Sequence, residues 1–180
     1  MARVRLVAMD VDGVLTDGGI IYTAAGDELR EFHASDGLGI VLLHLLEIEV
    51  AWITGRKSLI VDRRAAELTV RWVRQGVQDK GAALTDLAKS IGISRPEIAY
   101  IGDDWNDLPA FLCAGVKLTV ANAHADVKAI ADAVTERTGG VGAVREIVDA
   151  IIDARGCRDQ AHTRYFDSLR KSSTAAGTGQ

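Results

Sequence analysis

Short apolar runs alternate with amphipathic segments along most of the chain, and this alternation limits the fold more than any other sequence feature. Apolar runs bounded by polar turns predict buried strands, and apolar residues at helical spacing predict helices. Short links between them predict right-handed parallel βαβ units in a doubly wound α/β sheet. The predicted strands are 5–9, 50–53, 70–73, 98–101, 116–120 and 133–134; the predicted helices are 36–46, 58–68, 80–91, 107–114, 125–131 and 141–155. Asp36 with Gly37 is predicted to cap the first of these helices.

One insertion departs from this alternation and predicts a β-hairpin at about residues 18–34, with its turn at 25–27. Residues 12–54 leave room only for this hairpin and one helix, and residues 80–103 for one helix, so we expect no cap domain. Apolar residues on so thin a hairpin need burial, which favours an interface between subunits over packing on its own sheet. These residues are Ile20, Ile21, Tyr22 and Phe32.

The length of 180 residues fits one domain, which we assign to residues 1–155, followed by a tail at 156–180. The tail ends in small polar residues from 172 onward, so we expect it to be partly disordered. The net charge of −4 argues against nucleic acid as a partner, and no apolar run reaches the length of a membrane helix. Two distant cysteines exclude a disulfide framework and suit the cytoplasm.

Polar side chains follow four of the predicted elements at the points where strands end or helices begin. In an open parallel sheet these points meet at one edge, where ligands bind. The sequence therefore predicts one site built from four segments: Asp10 with Asp12, Thr54 with Gly55 and Arg56, Lys80, and residues 102–107.

The first two segments and Lys80 have the chemistry of phosphoryl transfer. Of Asp10 and Asp12, one carboxylate is suited to act as a nucleophile and the other as a general acid and base. An Asx turn after a strand is the alternative interpretation of this pair. The Thr54 hydroxyl and the Lys80 ammonium can hold phosphate oxygens, although each taken alone is more often a turn residue or a solvated charge.

Three carboxylates in five residues, Asp103, Asp104 and Asp107, repel one another unless a cation neutralises them. With Asp10 and Asp12 they form an oxygen-only cluster that suits Mg²⁺. The alternative is an N-cap cluster on the next helix, where aspartate is favoured; for Asp107 the two interpretations are equally good.

Taken together, these segments resemble the four motifs of the haloacid dehalogenase (HAD) superfamily phosphatases. The resemblance is closer to the capless branch that hydrolyses 3-deoxy-D-manno-octulosonate 8-phosphate (KDO 8-phosphate) and its acylneuraminate relatives, and it spans about residues 4–152. The motif residues are 10–16 (DVDGVLT), 53–56 (ITGR), 80–81 (KG) and 102–104 (GDD) with Asp107; the branch is indicated by 17–18, the hairpin with Glu28 and Phe32, 36–40 and 139–146.

The resemblance implies that Asp10 forms an aspartyl-phosphate, and that Asp12 protonates the leaving oxygen and then activates water. It implies that Thr54 and Lys80 bind the transferring phosphoryl group.

For the metal, the resemblance implies that Asp10, the backbone carbonyl of Asp12 and Asp103 ligate Mg²⁺. Asp104 and Asp107 would lie beside these ligands or hold Lys80.

For the substrate, Gly55, Arg56 and Arg64 match residues of the octulosonate phosphatases, whereas nononate phosphatases carry Glu in place of Arg56. An eight-carbon sugar acid phosphate is therefore favoured over a nine-carbon one or another small phosphosugar, and the branch implies a homotetramer.

Two non-enzyme alternatives are a phosphoacceptor switch and an inactive binding module. The acid two residues after Asp10 argues against the switch, and the intact motifs argue against the inactive module.

Overall fold

A central sheet of six parallel strands organises this protein, for which a computed structural model describes the backbone of residues 1–176 and the side chains of residues 1–171. The strands are β1 (Leu6–Met9), β2 (Ile21–Tyr22), β3 (Glu28–Leu29), β4 (Glu49–Ile53), β5 (Trp72–Arg74), β6 (Ile98–Ile101), β7 (Val116–Thr119) and β8 (Ala133–Val134). The helices are α1 (Ala34–Leu45), α2 (Leu59–Glu67), α3 (Lys80–Ser90), α4 (Leu108–Cys113), α5 (Ala125–Ile130), α6 (Ala143–Ala154) and α7 (Arg158–Ala176). The sheet order is β5-β4-β1-β6-β7-β8, which confirms the predicted doubly wound α/β fold.

Helices cover both faces of the sheet, and the side chains of β1 point alternately to the two apolar cores that this arrangement creates. Val7 and Met9 face the apolar core under α1, α2, α6 and α7, whereas Leu6 and Ala8 face the core under α3, α4 and α5. Successive side chains of a strand point to opposite faces, so a strand buried on both sides is apolar throughout. This burial fixes β1 at the centre of the sheet and places the residues that follow it at the middle of the sheet edge.

The predicted hairpin is present as a separate two-stranded antiparallel sheet, with Ile21 opposite Leu29 and Tyr22 opposite Glu28. Its base is held to the core by Phe32, whose ring stacks on Trp52 of β4 with 6.3 Å between ring centroids. Phe32 therefore packs on its own sheet, which differs from the expected burial at a subunit interface. The hairpin is the only insertion in the described chain between β1 and α1, and no cap domain is present in residues 1–176.

Helix α1 begins earlier than predicted, and Asp36 does not cap it. Its N-cap is His33, and Asp36 lies buried within its first turn. The Asp36 carboxylate instead accepts hydrogen bonds from the backbone N–H groups of Gly142 and Arg145, at 3.2 and 2.7 Å, at the start of α6. Burial raises the pKa of Asp36 above its ordinary value. The residue that predicted a local cap therefore caps a distant helix.

The tail contains a helix, α7, that the sequence analysis did not predict. Ala161 of α7 is buried, and Arg164 donates to the Leu45 carbonyl at the end of α1 and pairs with Glu47 at 2.9 Å. These contacts bind α7 to the outer side of α1. Disorder was expected from residue 172 onward, but the backbone of residues 172–176 continues α7, and residues 177–180 lie outside the described residues. Within residues 1–176, no helix combines the length and apolar character that crossing a membrane requires.

Candidate active site

A cleft of about 260 Å³ opens at the edge of the sheet where β1, β4 and β6 end. The loops after these strands and the start of the hairpin line it, so three of the four predicted segments face the cleft directly. Its lining residues are Asp10, Asp12, Gly18, Thr54, Gly55, Arg56, Asp103, Asp104 and Asn106.

Lys80 is buried beneath this cleft, where its ammonium group joins two carboxylates. It is the first residue of α3 and only 1% exposed. Its Nζ lies 2.7 Å from Asp10 Oδ2 and 2.8 Å from Asp107 Oδ1. Burial by itself lowers the pKa of Lys80, but the two carboxylates outweigh burial and raise the pKa above its usual value. Lys80 therefore stays charged and fixes Asp10 in place.

Asp107 is a fully buried acceptor whose oxygens are both occupied by donors. Oδ1 accepts from Lys80 and from the Tyr100 hydroxyl at 2.7 Å, and Oδ2 accepts from the backbone N–H groups of Asp103 at 2.9 Å and Asp104 at 3.4 Å. These bonds hold the loop after β6 in a fixed shape. Asp107 thus organises the site from below, and Tyr100 is a site residue that sequence reasoning missed.

Asp10 and Asp103 are carboxylates that burial makes hard to ionise. Desolvation is the largest cause, followed by repulsion from Asp107, and together they raise the pKa of each to about 7 despite the opposing effect of Lys80. Asp103 packs so closely on Gly13 that a Cβ at Gly13 would lie 2.1 Å from Asp103 Oδ2. Gly13 also has φ = +91°, a conformation that favours glycine. The loop after β1 therefore needs glycine at this position.

The carboxylates fit a hard divalent cation. Oxygens of Asp10, Asp103 and Asp107 lie within 4.8 Å of one another, and Asp103 Oδ1 is buried without a hydrogen-bond partner among the described residues. A buried, unpartnered carboxylate oxygen is unfavourable unless a cation or water meets it. Each oxygen of Asp107 already meets two donors, whereas each oxygen of Asp10 meets only one, so Asp10 and Asp103 are the better ligands.

Asp12 lines the same cleft but is not one of the three clustered carboxylates. Its Oδ1 accepts from Arg30, and its Oδ2 lies 3.5 Å from the Thr54 hydroxyl. Arg30, which follows β3, is a second site residue that the sequence pattern did not reveal. Glu28 and Arg30 are two residues apart in the arm of the predicted hairpin after its turn, and this spacing places side chains on one face of a strand.

Of the three residues predicted to bind the substrate, two lie at the cleft and one does not. Gly55 and Arg56 line the cleft, and the Arg56 guanidinium reaches the Tyr22 hydroxyl at 2.9 Å and Glu28 at 3.2 Å. Arg64 does not line the cleft. Its guanidinium lies 5.9 Å from the centroid of the Phe32 ring and pairs with Glu67 at 3.1 Å.

Asp104 and its neighbours form the outer rim of the cleft. The Asp104 carboxylate accepts from the backbone N–H of Trp105 at 2.7 Å, so it caps the short turn Trp105–Asp107. The Trp105 indole is exposed and donates to His124 Nδ1 at 3.0 Å. Of the acidic residues in this loop, Asp103 alone has a buried carboxylate oxygen without a hydrogen-bond partner.

A doubly wound sheet with an aspartate pair after its first strand, a buried lysine and an acidic loop defines the class of haloacid dehalogenase-like hydrolases. The family model of the haloacid dehalogenase-like hydrolases matches residues 69–147. Among curated proteins, the 3-deoxy-D-manno-octulosonate 8-phosphate phosphatase KdsC of Haemophilus influenzae is 44% identical over 156 residues, 87% of each chain. KdsC of Escherichia coli K12 is 42% identical over 159 residues, 88% of this chain and 85% of that protein. The chain belongs to the family of 3-deoxy-D-manno-octulosonate 8-phosphate phosphatases.

Solved structures agree with this assignment. The phosphatase of this name from Moraxella catarrhalis, in complex with magnesium, phosphate and KDO, superposes with a TM-score of 0.88 at 44% identity, covering 91% of this chain and 94% of that chain. The cobalt-bound Haemophilus influenzae enzyme has a TM-score of 0.85 at 42% identity, covering 90% of this chain and 98% of that chain.

Proposed function

We propose that this protein is a Mg²⁺-dependent phosphomonoesterase that hydrolyses KDO 8-phosphate to KDO and inorganic phosphate. The observation that carries the proposal is the buried Asp10 carboxylate, 2.7 Å from Lys80 and in one cleft with Asp12 and Thr54. The relatives named as KDO 8-phosphate phosphatases support this substrate.

In the proposed first step, a carboxylate oxygen of Asp10 attacks the phosphorus atom. The bond between phosphorus and the sugar oxygen breaks, and the electron pair stays on that oxygen, which takes a proton from Asp12. The product is an aspartyl-phosphate on Asp10. In the second step Asp12 accepts a proton from water, the water oxygen bonds to phosphorus, and the phosphorus–Asp10 bond breaks to release phosphate.

Positive charge and donors would hold the transferring group during both steps. Lys80 lies directly against Asp10, and the Thr54 hydroxyl points toward Asp12 from the end of β4. Donors fixed in advance stabilise a transition state without reorganising, and loss of one such donor costs about 10²- to 10³-fold in rate. We therefore assign phosphoryl binding to Thr54 and Lys80.

Asp10, Asp103 and the backbone carbonyl of Asp12 would hold Mg²⁺, with Asp107 keeping Lys80 and the loop after β6 in position. When bound, Mg²⁺ supplies positive charge that offsets the negative charge of the carboxylates and phosphate. Asp104 caps its own turn and would not be one of these Mg²⁺ ligands.

The substrate's acidic end would meet arginine. Arg56 lies at the cleft beside Tyr22 and Glu28, where its planar guanidinium suits a carboxylate. Arg64 faces Phe32, so a role for Arg64 in binding requires movement or a second subunit.

A homotetramer would cover the apolar residues that the hairpin exposes. Ile21, Tyr22 and Leu29 are 57%, 63% and 51% exposed in the single chain. A thin hairpin with such a surface needs a partner. Sedimentation velocity would test this assembly, and a fully active monomer would overturn it.

Both cysteines are free, which supports a cytoplasmic location.

The activity is tested with purified protein on KDO 8-phosphate, an acylneuraminate 9-phosphate and other sugar phosphates, with Mg²⁺ or EDTA. We expect the highest kcat/KM for KDO 8-phosphate, loss of turnover in EDTA, and loss in Asp10→Asn. Turnover that survives Asp10→Asn would refute the assignment of Asp10 as the nucleophile. A higher kcat/KM for the nine-carbon acylneuraminate 9-phosphate would refute the assignment of KDO 8-phosphate as the substrate.

A further inference from the structure

Arg30 brings a charged group into the site from the hairpin rather than from a strand end of the main sheet. Its side chain is only 2% exposed. The guanidinium lies between two carboxylates: Nη1 donates to Asp12 Oδ1, while Nε and Nη2 donate to Glu28 Oε1 at 3.3 and 3.0 Å. A buried arginine with a carboxylate on each side is held in one orientation.

The contact with Asp12 crosses between two parts of the chain that share no strand pairing. The hairpin pairs only with itself, and Asp12 belongs to the loop after β1. Asp12 is held at both oxygens, by Arg30 at Oδ1 and by the hydroxyl of Thr54, 3.5 Å from Oδ2. The Arg30 contact therefore fixes which oxygen of Asp12 faces the cleft.

Glu28 holds Arg30 in turn. Its Oε1 also accepts from Arg56 at 3.2 Å, and Arg56 reaches the Tyr22 hydroxyl at 2.9 Å. A continuous chain of hydrogen bonds thus runs from Tyr22 through Arg56, Glu28 and Arg30 to Asp12. A planar guanidinium that serves two carboxylates is not matched by the single point charge of lysine.

We propose that Arg30 is a positioning residue for Asp12, and that the hairpin thereby determines how well the enzyme expels a poor leaving group. This rests on the proposed function. As the phosphorus–oxygen bond breaks, the electron pair remains on the sugar oxygen and the proton moves to it from Asp12. Arg30 transfers no proton; its hydrogen bonds orient Asp12 and stabilise the negative charge left on that carboxylate.

Leaving-group dependence tests this role. A nitrophenolate departs without a proton, whereas a sugar alkoxide needs one, so only the second reaction depends on a well-placed acid. The substrates are p-nitrophenyl phosphate, KDO 8-phosphate and ribose 5-phosphate, which has no carboxylate. The measured quantity is kcat/KM, which does not include hydrolysis of the aspartyl-phosphate when formation of that intermediate is irreversible. The variants are Arg30→Met and Arg30→Lys, with Arg63→Met, an exposed arginine of α2, as the control.

We expect Arg30→Met to lower kcat/KM for both sugar phosphates by roughly 10- to 100-fold, part of the factor that general acid catalysis contributes, and for p-nitrophenyl phosphate by less than about 3-fold. Arg30→Lys should recover part of the loss. Arg63→Met should leave kcat/KM unchanged for all three substrates. In an Asp12→Asn background, Arg30→Met should cause no further loss with the sugar phosphates.

Three results would overturn the proposal. Equal losses with all substrates would indicate a general structural role, and a higher KM confined to KDO 8-phosphate would make Arg30 a ligand of the substrate carboxylate. A further full loss in the Asp12→Asn background would show that Arg30 acts independently of Asp12. Failure of the proposed function is distinguishable, because the unmodified protein would then fail to hydrolyse KDO 8-phosphate, whatever its activity on the other two substrates. Circular dichroism checks folding, and Arg30→Gln replaces Arg30→Met should the latter not fold.

Discussion

Replacing Lys80 by methionine gives a large loss of stability whose size depends on pH. Lys80 Nζ lies within 2.8 Å of both Asp10 and Asp107, and all three side chains are at most 5% exposed. Methionine keeps most of the side-chain volume but leaves two buried carboxylates without their shared cation. Removing one partner of a buried ion pair costs about 3–5 kcal/mol, and we expect a loss in this range in EDTA at pH 8.

The pH dependence follows from Asp10. Its pKa is already raised to about 7, and Lys80 is a group that lowers it, so the variant raises the pKa of Asp10 further. A carboxylate with a raised pKa contributes stability below its unfolded-state pKa, and this contribution is lost as pH rises through the folded-state pKa. The unmodified protein completes this loss near pH 7. The variant continues to lose roughly 1.4 kcal/mol per further pH unit, so the difference between the two proteins grows above pH 7.

Urea unfolding at pH 6 and pH 8 in EDTA measures both effects. With a slope of about 2 kcal/mol per molar urea, a loss of about 4 kcal/mol lowers the midpoint by about 2 M. Lys89→Met, an exposed lysine in the last turn of the same helix, is the matched control. A loss below about 1 kcal/mol, or one that does not grow between pH 6 and pH 8, would refute this account of the buried triad.

Three further perturbations test other parts of the site. Gly13→Ala places a Cβ 2.1 Å from Asp103 Oδ2 and strains φ = +91°, so a Mg²⁺ titration of activity should shift to higher concentration; an unchanged midpoint would contradict this contact. Tyr100→Phe removes the hydroxyl that donates to Asp107 at 2.7 Å and should cost about 1–3 kcal/mol in urea unfolding; no change would mean that the bond adds nothing. Because the pKa values of Asp10 and Asp103 are raised to about 7, the gain in thermal midpoint with Mg²⁺ over EDTA should increase from pH 5 to pH 7.5, and a constant gain would exclude these carboxylates as ligands.

The sheet was predictable because its strands are buried on both faces. Strand β6 matches the predicted range of 98–101 residue for residue, since four buried apolar residues end at a glycine. Helix α7 was not predicted, because its sequence has few apolar residues and its docking on α1 depends on single contacts such as Arg164 with the Leu45 carbonyl. Asp36 illustrates the same limit, since a capping residue does not specify in sequence which helix it will cap.

The strand ends likewise showed where the site would form, but not every residue in it. Asp10 follows β1 directly and Asp103 follows β6 after Gly102, so the sheet itself brings them close together. Arg30 and Tyr100 join the site through tertiary contacts. Tyr100 is one of four buried residues in an apolar strand, and only the folded chain shows that its hydroxyl meets Asp107. The contact of Arg64 with the Phe32 ring could not be predicted from the sequence either, because it is also a tertiary contact.

The hairpin is attached to the rest of the molecule by very few links, chiefly the Phe32 stack and the bonds of Arg30 and Arg56. None of the carboxylates in the buried cluster beneath the cleft comes from it. An evolving lineage can therefore vary the exposed residues of this short loop without rebuilding the carboxylate cluster below, provided that Glu28 and Arg30 are kept. New sugar preferences would be reached through a few substitutions in one segment, while the residues that act at phosphorus stay in place.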